Sequence, residues 1–353
     1  MNSYVTRDDV TSAAEQTIFR QRPSGFRHES ATVCAVVTLS CMLTEPADAP
    51  DDRRHAVAHL ASHAPALERI GRGFEHEQIV SSGPGNLGNL NRGSSMATTD
   101  GWCGWDEYAR FYDWENARTM GRQDVRFWQD FARREGGPLL ELGCGTGRVI
   151  VPVARTGVPV VGIDRSEPML AYARRRARRL PVASRPELVR GDIRFLPFES
   201  RAFSAVMAPY GILQSLTKER DLVATLSEVA RVLRPGGTFG LDLVPDLPAW
   251  DEYANKTRLE GRLRSSAAHV TLIESVRQDR RRKLTIFDQE YVEKRGARTE
   301  RHRFSLTFRT LPLPQMVARV EKAGFRVTAV LGDYRGRAWD LRADVWLLLA
   351  TRQ

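Results

Sequence analysis

Only four cysteines occur in 353 residues, Cys34, Cys41, Cys103 and Cys144, with no C-x-x-C pair and no metal-ligand spacing to a histidine. That scarcity argues against a disulfide framework or a metal centre and leads us to expect a reducing, cytoplasmic setting. No apolar run approaches the roughly 18 residues of a membrane-spanning helix. The nearest, Ala31 to Leu43, covers 13 residues and lies too far from the start for an ordinary signal peptide. Histidine is scarce as well: five of the seven fall before residue 96, which leaves His269 and His302 in the rest of the chain. Residues 1–95 also lack tryptophan, lysine and any clear helical period.

What remains is the composition of a globular protein, 42% apolar and 27% charged. The net charge of +10 is unevenly spread. Residues 1–95 hold 9 basic and 11 acidic side chains, and residues 96–353 hold 44 and 32, mostly as arginine. Such an excess suits a surface of solvated arginines, and the alternative is an anionic or nucleic-acid partner. The segment 1–95 ends in Ser81-Ser82-Gly83-Pro84-Gly85-Asn86, a linker composition. Ala56 to Ile70 could form one helix, but nothing there supplies a sheet for it. We expect 1–95 to be disordered, or a non-native extension with Met96 as the natural first residue; the alternative is a regulatory or docking extension.

From Trp102 the texture changes. Trp105 to Trp114 is dense in aromatics, and Asp124 to Arg134 carries Val125, Trp128, Phe131 and Ala132 on one helical face. Tyr112 and Arg122, just before that helix, stand where they could fold over a ligand. The chain is then organised around Leu139-Leu140-Glu141-Leu142-Gly143-Cys144-Gly145-Thr146-Gly147: a short buried strand, then glycines at alternate positions, then a helix start. Glycines there allow a tight turn and close approach of a ligand to backbone N–H groups.

Further strands are expected at Val158–Asp164, Leu188–Ile193, Phe203–Ala208 and Thr238–Val244, with helices at Ser166–Leu180 and Asp221–Leu233 between them. Alternating strand and helix predicts an α/β, Rossmann-like, doubly wound and mostly parallel sheet, with ligands at the carboxyl ends of its strands. The pattern breaks at residue 248. His269–Val276, Leu284–Val292 and Arg301–Phe308 alternate with period two, which predicts a small antiparallel β insertion over 248–310. A helix at Pro314–Ala323 and strands at Phe325–Leu331 and Val345–Thr351 return to the main sheet.

The glycine turn lacks the G-x-G-x-x-G spacing that brings a helix end to a pyrophosphate, so a nucleoside without phosphates fits it better. Asp164, 21 residues beyond Gly143, closes the second strand as a carboxylate suited to ribose hydroxyls. Taken together, Glu141-Leu142-Gly143-Cys144-Gly145-Thr146-Gly147, Asp164, Gly191-Asp192-Ile193 and Val232-Leu233-Arg234-Pro235-Gly236-Gly237 resemble the successive motifs of class I S-adenosylmethionine-dependent methyltransferases. A narrower likeness is to amino-sugar N-methyltransferases, which also carry a β insertion after strand five.

The resemblance implies a seven-stranded sheet with S-adenosyl-L-methionine as cofactor. Gly143, Cys144 and Gly145 would pass beneath its methionine and ribose portions, with Glu141 near them. Asp164 would take the ribose hydroxyls, Arg165 or Met169 would flank the adenine, Asp192 would accept its amino group and Ile193 would lie against the ring. Ala208 would close the site from strand four, and Tyr112 and Arg122 would belong to an N-terminal lid over 96–136. The cofactor domain would comprise 137–247 and 311–353, with 248–310 as the acceptor lid.

The acceptor expected is a small molecule methylated at N or O. An amine needs only its neutral form, whereas a hydroxyl needs a base, for which His269 and His302 are the candidates. Tyr210, at the carboxyl end of strand four, is a further catalytic candidate because the resemblance places acceptor-facing residues there. Ala208-Pro209-Tyr210 departs from the acid-Pro-Pro-Tyr pattern of enzymes that methylate base or glutamine amides. The alternatives are an RNA- or protein-directed methyltransferase using its arginines, and a non-catalytic protein that binds the cofactor.

Overall fold

The computed structural model describes residues 105–119, 123–244, 251–263, 266, 268–340, 343 and 345–353. The expectations for 1–95, for Cys34, Cys41 and Cys103 and for Arg122 lie outside the described residues. Two helices open the described chain, α1 (Trp105–Thr119) and α2 (Gln123–Glu135). Then come β1 (Leu139–Leu142), α3 (Ile150–Ala154), β2 (Val160–Asp164), α4 (Glu167–Ala177), β3 (Glu187–Arg190), β4 (Phe203–Ala208), α5 (Glu219–Val232) and β5 (Leu233–Leu243). The insertion supplies β6 (Tyr253–Arg262), β7 (His269–Asp279), β8 (Leu284–Arg295) and β9 (Arg298–Arg309). The chain closes with α6 (Leu313–Lys322), β10 (Phe325–Leu331) and β11 (Trp346–Arg352).

The seven-stranded sheet has the order β10-β11-β5-β4-β1-β2-β3, and β11 runs antiparallel to both its neighbours. The chain winds from β1 outward through β2 to β3, then crosses to β4 on the other side of β1. That reversal opens a crevice beyond the carboxyl ends of β1 and β4, where open α/β sheets bind ligands. Each face is covered. Trp128, Phe131 and Ala132 of α2 pack with α3 and α4 on one side, and Leu222, Leu226 and Val229 of α5 with Met316 and Val320 of α6 on the other. Arg234 to Gly237 loop out of β5, because Leu233 pairs with Phe203 and the register resumes only at Thr238 opposite Ala205.

The insertion is a separate antiparallel sheet, β6-β7-β8-β9. Strand β6 was not legible as a period-two segment. It is a largely exposed edge strand with two register shifts against β7, so its side chains do not alternate between core and solvent. The third apolar cluster joins this sheet to α1: Tyr108, Phe111 and Trp114 pack with Val270, Leu272, Phe287, Tyr291 and Phe304, and Met169 of α4 enters from the main domain. Strand β3 stops at Arg190, earlier than expected, so Asp192 and Ile193 stand in the turn beyond it.

Candidate functional site

At the end of β1 the backbone turns through three glycines with left-handed dihedrals, Gly143 (φ 63°), Gly145 (φ 52°) and Gly147 (φ 79°). Side chains are excluded here for two reasons. The conformation disfavours a Cβ, and a Cβ on Gly143 would fall 2.6 Å from Ile212. Cys144 donates its N–H to Ile163 O at 3.1 Å, and its sulfur fills the space over Gly162. Burial pushes its thiol pKa up, with Asp164 and Glu141 adding to the effect, so it is an inert filler of the turn.

Asp164 at the end of β2 fastens the turn. Its Oδ2 accepts the Gly145 N–H at 2.8 Å and its Oδ1 accepts that of Ser166 at 2.9 Å. Burial raises its pKa, and those N–H groups oppose the rise. Ser166 caps α4 by accepting from Met169 N at 3.2 Å, which seats the Met169 side chain between α4 and α1. Each oxygen of a carboxylate has two lone pairs, so Asp164 retains acceptor capacity toward the cavity it lines.

That cavity has a volume of about 450 Å³, within the range of roughly 300–1,000 Å³ common for small-molecule sites. It brings together Tyr112, Glu141, Gly143, Cys144, Gly145, Asp164, Arg165, Met169, Asp192, Ile193 and Tyr210, all anticipated from the sequence. Glu141 is buried and its Oε2 has no hydrogen-bond partner among the described residues. Burial drives its pKa well above the usual range, opposed by Arg148.

Other expectations fall elsewhere. Ala208 is fully buried in β4 and does not line the cavity; Pro209 and Tyr210 take that place. His269 is exposed at the start of β7, and His302 packs on Phe111 with its Nε2 3.7 Å from Glu293. Neither histidine lines the cavity.

Three arginines that line the cavity were not foreseen, Arg148, Arg190 and Arg194. Arg148 directly follows the last glycine of the turn. Its Nη1 lies 2.6 Å from Asp124 of α2, and its guanidinium sits 5.2 Å from the Tyr210 ring centre. Burial works against that charge, but Asp124 and Tyr112 outweigh it and raise the pKa. Arg194 clamps Asp192, with Nε on Oδ1 at 3.0 Å and Nη2 on Oδ2 at 2.7 Å. Arg165 adds a looser contact to Oδ2 at 3.3 Å. Burial alone would raise the Asp192 pKa, yet these arginines bring it below the ordinary value. The position of Arg194, two residues after the acid, was the available signal. Phe308 of β9 also reaches the cavity, so the insertion forms part of its wall.

A methyltransferase domain family matches residues 139–237. The cypemycin N-terminal methyltransferase of a Streptomyces species is 30% identical over 222 residues, covering 62% of this chain and 84% of that protein. The chain belongs to the class I S-adenosylmethionine-dependent methyltransferases. A sterol 24-C-methyltransferase of Saccharomyces cerevisiae is 29% identical over 143 residues, and there the chain spans only 36% of the relative's length. The crystal structure of an S-adenosylmethionine-dependent methyltransferase from Clostridium acetobutylicum shares the fold, with a TM-score of 0.57, 16% identity and coverage of 70% of this chain and 98% of that one.

S-adenosylmethionine is the methyltransferase's cofactor, and the residues present fit it. The unpartnered Glu141 Oε2 suits an ammonium group, the half-buried guanidinium of Arg148 suits a carboxylate, and the glycine turn leaves room for a ribose against the backbone. No helix among the described residues is long and apolar enough to cross a membrane.

Proposed function

We propose that this methyltransferase transfers its methyl group to the nitrogen of a small-molecule amine. The observation that carries the reading is the lining of the cavity. It adds to the cofactor residues the rings of Tyr112, Tyr210 and Phe308 and the carboxylates of Asp106 and Glu107, which suit a basic nitrogen compound, and it draws on neither His269 nor His302. A hydroxyl acceptor needs a base to take its proton, whereas a neutral amine presents its lone pair directly. The similarity to an enzyme named as an N-terminal methyltransferase supports the same choice.

S-adenosylmethionine supplies a methyl group on a sulfonium that is already a good leaving group, so alignment and exclusion of water are what the protein contributes. Asp164 would hold the ribose hydroxyls, Glu141 the methionine ammonium and Arg148 the methionine carboxylate. Asp192 and Ile193 would meet the adenine, with Arg165 swinging from its longer contact to make room. Tyr112 would cover the bound cofactor from α1, and residues 248–310 would form the acceptor lid over a cofactor domain of 137–247 and 311–353.

Calorimetry with S-adenosylmethionine and S-adenosylhomocysteine tests the cofactor assignments. Asp164→Ala is expected to weaken both by at least tenfold, and unchanged binding would overturn the role given to Asp164. Incubation with methyl-labelled cofactor and a mixture of amines and phenols tests the acceptor. Label in N-methyl products is expected; label confined to O-methyl products would sink the amine reading.

A further inference from the structure

The loop that follows β4 adopts a conformation its own sequence does not favour. Tyr210 and Gly211 both have left-handed dihedrals, φ 62° and 60°. Glycine tolerates this, but a tyrosine does so only when something outside the loop imposes it. The imposing group is the carboxylate of Asp242 on β5. It accepts the Gly211 N–H at 2.7 Å and the Tyr210 N–H as well, while its other oxygen accepts the Tyr334 hydroxyl at 2.9 Å. Gln214 assists by pairing both ends of its amide with the backbone of Val244, at 3.1 and 2.8 Å.

We propose that Asp242 is a positioning residue for methyl transfer: it turns Tyr210 into the cavity beside Arg148 and holds it at the carboxyl end of β4. Asp242 itself is buried and lies outside the cavity wall, so it acts only through the loop. The groups that face it are the two loop N–H groups, the Tyr334 hydroxyl from the segment between β10 and β11, and Asp124 of α2, itself paired to Arg148. Burial raises the pKa of Asp242 to about 6, and the Tyr334 hydroxyl opposes the rise. A protonated Asp242 is a weaker acceptor for both N–H groups, so the Tyr210 turn loosens as pH falls through that value.

This claim does not depend on the acceptor being an amine, and its test needs no acceptor. The full chain is labelled with 3-fluorotyrosine, the Tyr210 resonance is assigned with Tyr210→Phe, and its fluorine shift is followed with pH, with and without S-adenosylhomocysteine. The wild type is expected to show a midpoint near 6. Asp242→Asn should abolish that titration while S-adenosylhomocysteine still binds. The milder Tyr334→Phe removes the hydroxyl that favours the charged form, so its midpoint should move to higher pH. A Tyr210 resonance that ignores pH in the wild type, or titrates identically in both variants, would overturn the assignment.

Discussion

Glu141 and Asp242 are buried carboxylates, and both have raised pKa values because burial disfavours their charge. A carboxylate whose pKa is higher folded than unfolded binds extra protons in the folded state between the two values, so its effect on stability worsens as pH rises. For Asp242, a shift from 3.8 to about 6 corresponds to about 3 kcal/mol of destabilisation at neutral pH that is absent below about pH 4. Asp242→Asn should therefore lose less stability than the wild type between pH 4 and pH 7, measured by urea unfolding at each pH. Parallel profiles would refute it. The same logic makes Glu141→Gln a trade: a higher melting temperature without cofactor, and weaker binding of S-adenosylmethionine by about tenfold, the order of a charge-assisted hydrogen bond. Asp164 was legible in the sequence because an acid ending a buried apolar run has few structural explanations. The exchange of partners at the site was not, because Arg148 meets an acid on α2, 24 residues earlier, and only the packing of α2 on the sheet brings them together.

Helix α1 has two separate attachments, and they predict different failures. To the insertion it is joined through a buried polar knot. The hydroxyls of Tyr108 and Tyr291 both donate to Glu115, and Gln289 bridges Glu115 to Glu274 within a cluster of aromatic rings. To the cofactor domain it is joined by Asp113, which accepts from Thr146 of the glycine turn at 2.6 Å and from Arg176 of α4 at 2.9 Å. Glu115→Ala leaves buried donors without an acceptor and should cost about 3 kcal/mol, at roughly 1–3 kcal/mol per group stranded. Asp113→Ala breaks partly exposed contacts and should cost about 1 kcal/mol or less. Its effect should appear instead as a faster release of S-adenosylhomocysteine in stopped-flow, because α1 then closes less firmly over the turn. Equal release rates in the two variants would contradict this division of labour. Apart from α1, read only as a segment dense in aromatics, the helices and parallel strands were legible from period and caps, down to Ser166 at the start of α4. The union of α1 with the insertion was not, since its contacts join residues far apart in the chain, such as Trp114 with Arg262, 148 positions away, and Tyr291 with Glu115, 176 positions away.

Over the whole molecule, the net charge of +10 leaves open whether the arginines serve a polyanionic acceptor. In the fold many of them already have partners. Arg174 pairs with Glu167, Arg176 with Asp113, Arg282 with Asp279, and Arg309 and Arg319 both with Glu219, whose pKa falls to about 2 through those hydrogen bonds. The pairs on Glu219 tie α5 to β9 and α6 and the pair on Asp113 ties α1 to α4, so part of the basic surface is engaged in holding elements together. An enzyme that neutralised phosphates with the remainder would release counterions, and its affinity would fall as roughly the 0.9 power of salt for each phosphate contacted. Six such contacts would lose about a thousandfold between 50 and 200 mM salt. Transfer to a small amine involves no such release. With labelled cofactor and a responsive amine, kcat/KM should change by less than about threefold across that range. Binding of a fluorescent RNA at low salt that competes with the amine and disappears steeply with salt would reverse the choice and make the nucleic acid the acceptor.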